Sequence, residues 1–255
     1  HVRSRRQRQM CIRDRSDIGV DCGTAAGFAH GKNGCTIDAP LGENGRLFQS
    51  AKFIILGSDT AAASTSHGFL VEGFDRGNSD IFYCANFWYG LIWKGRKALI
   101  NDVQAWQIGG TPLFIKSDLP ASGGNVADAT VSSVQVNGVI SFARNGDSVS
   151  NAVHVMASTA VLASVQISNV QATFGRAAVT VAGGGASLYC VGVHLSNIKA
   201  TGTTVGVELF GTTYDCTCDN LQVDNPISGQ AFFTSGASSN CLLYTSPSPR
   251  DLSTS

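Results

Sequence analysis

The sequence predicts an all-β protein, a right-handed parallel β-helix (a solenoid) of about six to seven coils cut short at both ends. An internal period, a recurring turn and a second set of alternating segments predict it. Aligning LVEGFD, LINDVQ, VQVNGVI, VQISNVQ, VHLSNIK and LQVDNPI puts Val71, Ile100, Val136, Ile167, Leu195 and Val223 in one column, with spacings of 29, 36, 31, 28 and 28 residues. The longest spacing holds SDLPASGGN, where Pro120, Gly123 and Gly124 mark an inserted loop. Two places after the column come Gly73, Asp102, Gly138, Asn169, Asn197 and Asn225, residue types that tolerate the left-handed conformation. Short stretches such as VISFA and VQATF follow, then a loop, then GLIWK, PLFIK, AVHVM, AVTVA or GVELF. Alternation of apolar and other residues marks strands with one face buried. A helical fold fits badly, because β-branched residues and glycines are frequent and no apolar 3.6-residue period persists. Each coil hides its inward Val, Ile and Leu only by stacking on the next, at roughly 4.8 Å per rung.

The two ends read differently from the chain between them. Back-translating residues 241–246 as TGT CTC TTA TAC ACA TCT gives the reverse complement AGATGTGTATAAGAGACA, which from its third base encodes residues 10–14. One inverted DNA element thus encodes both ends, and the stretches resemble read-through of a transposase-type sequencing adapter with tails at 5–9 and 247–251. The alternative, a basic arm or targeting peptide, lacks the apolar region of a signal peptide and does not account for the inverted match. The expected organisation is therefore adapter-derived residues 1–15 and 241–255, a glycine-rich lead-in with a partial first coil at 16–52, and the parallel β-helix at 53–240.

The chain carries 18 basic and 18 acidic residues; without the two ends eleven basic and sixteen acidic residues remain. That mildly acidic balance argues against a nucleic-acid partner. No apolar run approaches the roughly 18 residues of a membrane span. Six cysteines remain between the ends (Cys22, Cys35, Cys84, Cys190, Cys216, Cys218), without the paired spacing of a zinc site, and no metal or other cofactor is expected. Cys190 and Cys218, 28 residues apart, should stack on neighbouring rungs, within reach of a disulfide in principle but more simply read as buried free thiols. The run FYCANFWYGLIW concentrates Phe82, Tyr83, Phe87, Trp88, Tyr89 and Trp93. Some of these must be core; the surplus covers a loop, lines a sugar site or sits in a subunit contact.

Through its period and turn column, over about residues 53–235, the chain resembles the pectin-lyase-like superfamily, which includes polysaccharide lyases, galacturonases and bacteriophage tailspike proteins. The resemblance implies a saccharide groove on the outward face of the second alternating strand and, for tailspike-like members, a homotrimer. On that strand Leu91, Leu113, Val153, Val179 and Val207 should point inward. Ile92, Phe114, His154, Thr180 and Glu208 then form one outward column, and Lys94, Lys116, Met156, Ala182 and Phe210 the next. Lys94, Phe114, Lys116, His154 and Phe210 are the expected substrate-binding residues: lysines for an acidic sugar's carboxylate, aromatic rings for a sugar face. The plainer reading makes the lysines solvated charges on a sheet face and His154 an ordinary surface or core residue.

Hydrolysis of a glycosidic bond needs two carboxylates, about 5–5.5 Å apart for retention or about 6.5–9.5 Å for inversion. Glu208 with Asp215 is the candidate catalytic pair, Asp215 being otherwise a turn aspartate. A lyase would need an arginine or lysine base beside calcium-binding acids. Asp215, Asp219 and Asp224 lie nearest one another but lack calcium-loop spacing, and the aspartate and histidine strings of the family's galacturonases have no match here. The expectation is a fragment of a phage tailspike- or tail-fibre-like protein, in the virion or extracellular. It would bind a bacterial surface polysaccharide and, if Glu208 and Asp215 act together, depolymerise it. The alternatives are a secreted bacterial polysaccharide lyase or glycoside hydrolase, and a non-catalytic shaft or adhesin.

Overall fold

The computed structural model describes residues 17–21, 35–38, 47–56, 66–74, 76–118, 130–143, 150–225 and 230–244. The expected adapter-derived residues 1–15 lie outside the described residues, as do 245–255 and most of the inserted loop. The protein is all-β, and its strands gather in two parallel sheets. One sheet runs through Asp17–Asp21, Leu47–Leu56, Arg76–Ala85, Ala98–Ile108, Val139–Ala143, Leu162–Thr173 and Cys190–Thr201, with Thr217–Asp224 beyond. The other runs through Cys35–Asp38, His67–Glu72, Tyr89–Lys94, Thr111–Ser117, Asn151–Ala157, Ala177–Ala182, Val205–Phe210 and Gln230–Ser235. The chain alternates between the sheets as it advances, an arrangement consistent with a β-solenoid. Strands fall within the glycine-rich lead-in as well, where Asp17–Asp21 pairs with residues 52–56 and Cys35–Asp38 with residues 69–72.

Between the sheets lies an apolar interior built from the period-two alternation. Ile100, Val136, Ile167 and Leu195 are paired in one column, as expected, and all four are buried. The column departs from expectation at both ends. Val71 sits in the other sheet, opposite Ile37 and Trp93, and Ser79 is the neighbour of Ile100. Leu195 faces Cys218, whereas Val223 faces Ala200, so the rung at Thr217–Asp224 is offset from the 28-residue period. The same offset separates Cys190, opposite Thr213, from Cys218; both are buried free thiols and they are not stacked on each other. In the early coils Phe53, Phe69 and Phe82 pack with ring centroids 5.3–5.5 Å apart. Phe82, Phe87 and Trp93 of the aromatic run are thus core, and Trp93 Nε1 donates to the Gly95 carbonyl at 3.0 Å.

The bend within the first sheet carries a row of asparagines. Asn101 Nδ2 donates to Asp80 Oδ1, Asn137 Nδ2 to Asn101 Oδ1, and Asn169 Nδ2 to the Asn137 carbonyl, each at 2.9 Å. Asn197 Nδ2 donates to Asn169 Oδ1 at 3.1 Å, and Asn220 Nδ2 to Asn197 Oδ1 at 2.9 Å. Asn169, Asn197 and Asn220 are left-handed, with φ of 57°, 54° and 55°. Of the expected turn column Gly73, Asn169, Asn197 and Asn225 are left-handed, with Asn169 and Asn197 in this row; Asp102 and Gly138 are not left-handed, and there the row passes one residue earlier, through Asn101 and Asn137. Each amide satisfies the next rung while its residue turns the chain, so the bend fixes register along the stack.

Candidate functional site

On the second sheet the expected outward column has the expected register, Ile92 to Phe114 to His154 to Thr180 to Glu208. Its inward partners Leu91, Leu113, Val153, Val179 and Val207 are fully buried. The column is largely closed, however, and not an open groove: Phe114, Thr180 and Glu208 are 9%, 4% and 3% exposed, and Ile92 and His154 are half-buried. Phe114 is stacked between Tyr89, at 5.6 Å, and His154, at 4.8 Å. Burial, reinforced by the charges of Arg176 and Lys116, pushes the His154 imidazole down to about 4. His154 is therefore neutral near pH 7, and its buried Nε2 has no hydrogen-bond partner.

Glu208 is held from two sides. Arg176 Nη2 donates to Oε1 at 2.6 Å and Thr180 Oγ1 donates to Oε2 at 3.3 Å. Asp215 lies in an exposed bend of the first sheet, left-handed at φ 50°, so the candidate pair is divided between the two sheets. The lysines are also engaged. Lys94 Nζ is 3.2 Å from Glu72 and 3.7 Å from Asp118, and Lys116 Nζ is 2.7 Å from Asp118. With two carboxylates beside two ammonium groups, this corner offers an acidic sugar no surplus positive charge. Phe210 is exposed at the end of its strand, opposite Ala182 and Ser235. Among the described residues no three His, Cys, Asp or Glu side chains converge as metal ligands, and no helix is long and apolar enough to cross a membrane.

The open surface lies elsewhere, on the first sheet just past the asparagine bend. Trp106 and Phe142 are paired on neighbouring strands and point outward, 47% and 36% exposed, while Ala105 and Ser141 between them and the bend point inward. Their rings meet edge to face at 4.8 Å, and Phe142 meets Phe174 the same way at 5.8 Å. Phe174 is left-handed at φ 63°, and its ring lies over Gly202, where a Cβ would come within 3.1 Å of it. Beside this aromatic row runs a second outward column, Gln104, Ile140 and Gln171. The sequence carried the signal: VQAW, VISF and VQATF end in an aromatic residue after the same turn.

No protein-family model, curated protein or solved structure matches this chain.

Proposed function

We propose that the chain is a right-handed parallel β-helix of about six to seven coils that binds a bacterial surface polysaccharide, as part of a phage tailspike- or tail-fibre-like protein. In this reading it is extracellular or virion-borne and assembles as a homotrimer. The observation that carries the binding is the exposed pair Trp106 and Phe142 on adjacent strands, continued by the half-buried Phe174 just past the end of the next strand, with amide side chains beside it. Aromatic rings present apolar faces to the C–H faces of sugars, and neighbouring amides supply the hydrogen bonds that hydroxyl groups require. An exposed aromatic row without such a role would be a liability for a soluble protein.

A second reading, hydrolysis of the bound polymer as in a secreted glycoside hydrolase, is favoured by Glu208, a buried carboxylate two rungs from the neutral His154. Electrophoresis of the protein through gels containing a panel of bacterial capsular and lipopolysaccharide glycans tests binding. Retardation in one of them, abolished in Trp106→Ala/Phe142→Ala, is expected; equal retardation of both proteins rejects the row as the binding surface. Release of reducing ends by the wild type but not by Glu208→Gln is the outcome that the hydrolytic reading requires.

A further inference from the structure

Resting on the polysaccharide-binding reading, we infer that the ligand is a neutral, linear glycan lying across the strands, with one sugar over each of three successive rungs. The charge pattern supplies the first part. On the three rungs the outward positions past the bend are Gln104 with Trp106, Ile140 with Phe142, and Gln171 with Thr173, none of them ionisable. The carboxylate at the edge, Asp102, already accepts from Gln104 Nε2 at 2.6 Å. Among the described residues, charges on these columns return beyond the row, as Lys199 and Asp224 on the following two rungs, and they are opposite in sign. Arg176, two residues past Phe174, is committed to Glu208. A polyanion crossing these rungs would lose hydration without meeting a compensating cation among the described residues. A neutral sugar has no such cost.

Spacing supplies the second part. Adjacent rungs are roughly 4.8 Å apart, close to the length that one pyranose adds to an extended chain. The ring centroids step by 4.8 Å and 5.8 Å. Successive rungs therefore keep pace with successive sugars along the stack, the steeply inclined rings, at 72° and 89° to one another, meeting them by face and by edge in turn, whereas a branched polymer would lift its chain off the rings. The row is also bounded. On the rung before Trp106 the same column holds Ala85, which is buried, and beyond Phe174 the surface falls to Gly202. Three rungs of contact imply a site filled by about three or four sugar units.

Titration calorimetry of the full chain tests this, using neutral glucan, mannan and galactan oligomers of graded length beside oligogalacturonate and oligoalginate. The expected result is binding within the neutral series, with affinity that climbs to about three or four units and then levels off, and that is insensitive to added salt. Trp106→Ala or Phe142→Ala should weaken it about tenfold, while Gln166→Ala, exposed on the other side of the bend, should not. Binding confined to the acidic oligomers, salt-sensitive and indifferent to Trp106→Ala, would overturn the inference and leave polysaccharide binding standing. Neutral binding as tight for one sugar as for four would overturn the one-sugar-per-rung geometry. Failure of every oligomer and every parent polymer to bind would remove both.

Discussion

Arg176 and Glu208 form an unequal pair, the guanidinium side chain 47% exposed and the carboxylate 4%. That inequality shows what a strand pattern conveys about a residue and what it omits. Alternation placed Glu208 outward, and outward it is; alternation has no term for the side chains that close over it. The same holds for Lys94 and Lys116, whose positions were legible but whose neutralisation by Glu72 and Asp118 depends on contacts between rungs. His154 gives a prediction at this scale. Its imidazole is held near 4 when folded, against an ordinary 6.5, so the unfolded chain takes the proton first. The resulting stability is fully present above about pH 6.5 and is lost as pH falls towards 4, on the order of 3 kcal/mol at most. Urea unfolding at pH 7.5 and 4.5 should show a smaller loss in His154→Phe than in the wild type. An equal loss would mean that the imidazole is not buried neutral. His67, also lowered to about 4 by burial and by Lys94, remains in both proteins and sets the common background.

The repeating element was legible where its inward residue is aliphatic, at Ile100, Val136, Ile167 and Leu195. It failed where the inward residue breaks that pattern. Ser79 precedes Ile100 as a buried hydroxyl, so the alignment reached past it to Val71 in the other sheet. At Thr217–Asp224 the step from His194 to Thr217 is only 23 residues, and the small Cys218 takes the inward place that a 28-residue period assigns to Val223. The asparagine row was half legible, since a preference for left-handed backbone marks Asn169 and Asn197, but hydrogen bonds between successive side chains leave no period of their own. Asn197 both occupies φ 54° and links Asn169 to Asn220. Replacing it by alanine should cost about 2–3 kcal/mol, combining left-handed strain with a broken amide chain. Asn197→Gly relieves the strain alone and should cost less. Thermal unfolding of the two variants checks this; equal losses would assign the whole effect to the hydrogen bonds.

At the scale of the whole molecule, two parallel sheets hold side chains at a fixed interval along one direction, and function follows from which interval faces outward. The second sheet directs its outward column into a closed, internally paired surface. The first directs Trp106 and Phe142 to solvent on adjacent rungs, with the half-buried Phe174 against Phe142 beside the next. Among the described residues it is the latter that offers a proposed polymer ligand a repeated aromatic contact, beside the uncharged Gln104, Ile140 and Gln171. The chain has three tryptophans, of which Trp93 is fully buried, Trp88 half-buried and Trp106 most exposed. Acrylamide quenching of tryptophan fluorescence, with and without saturating glycan, therefore reports on Trp106 first. Bound glycan should shield the quenchable fraction in the wild type and have no effect on quenching in Trp106→Phe. Bound glycan that leaves wild-type quenching unchanged would contradict it, placing the polymer somewhere other than the aromatic row.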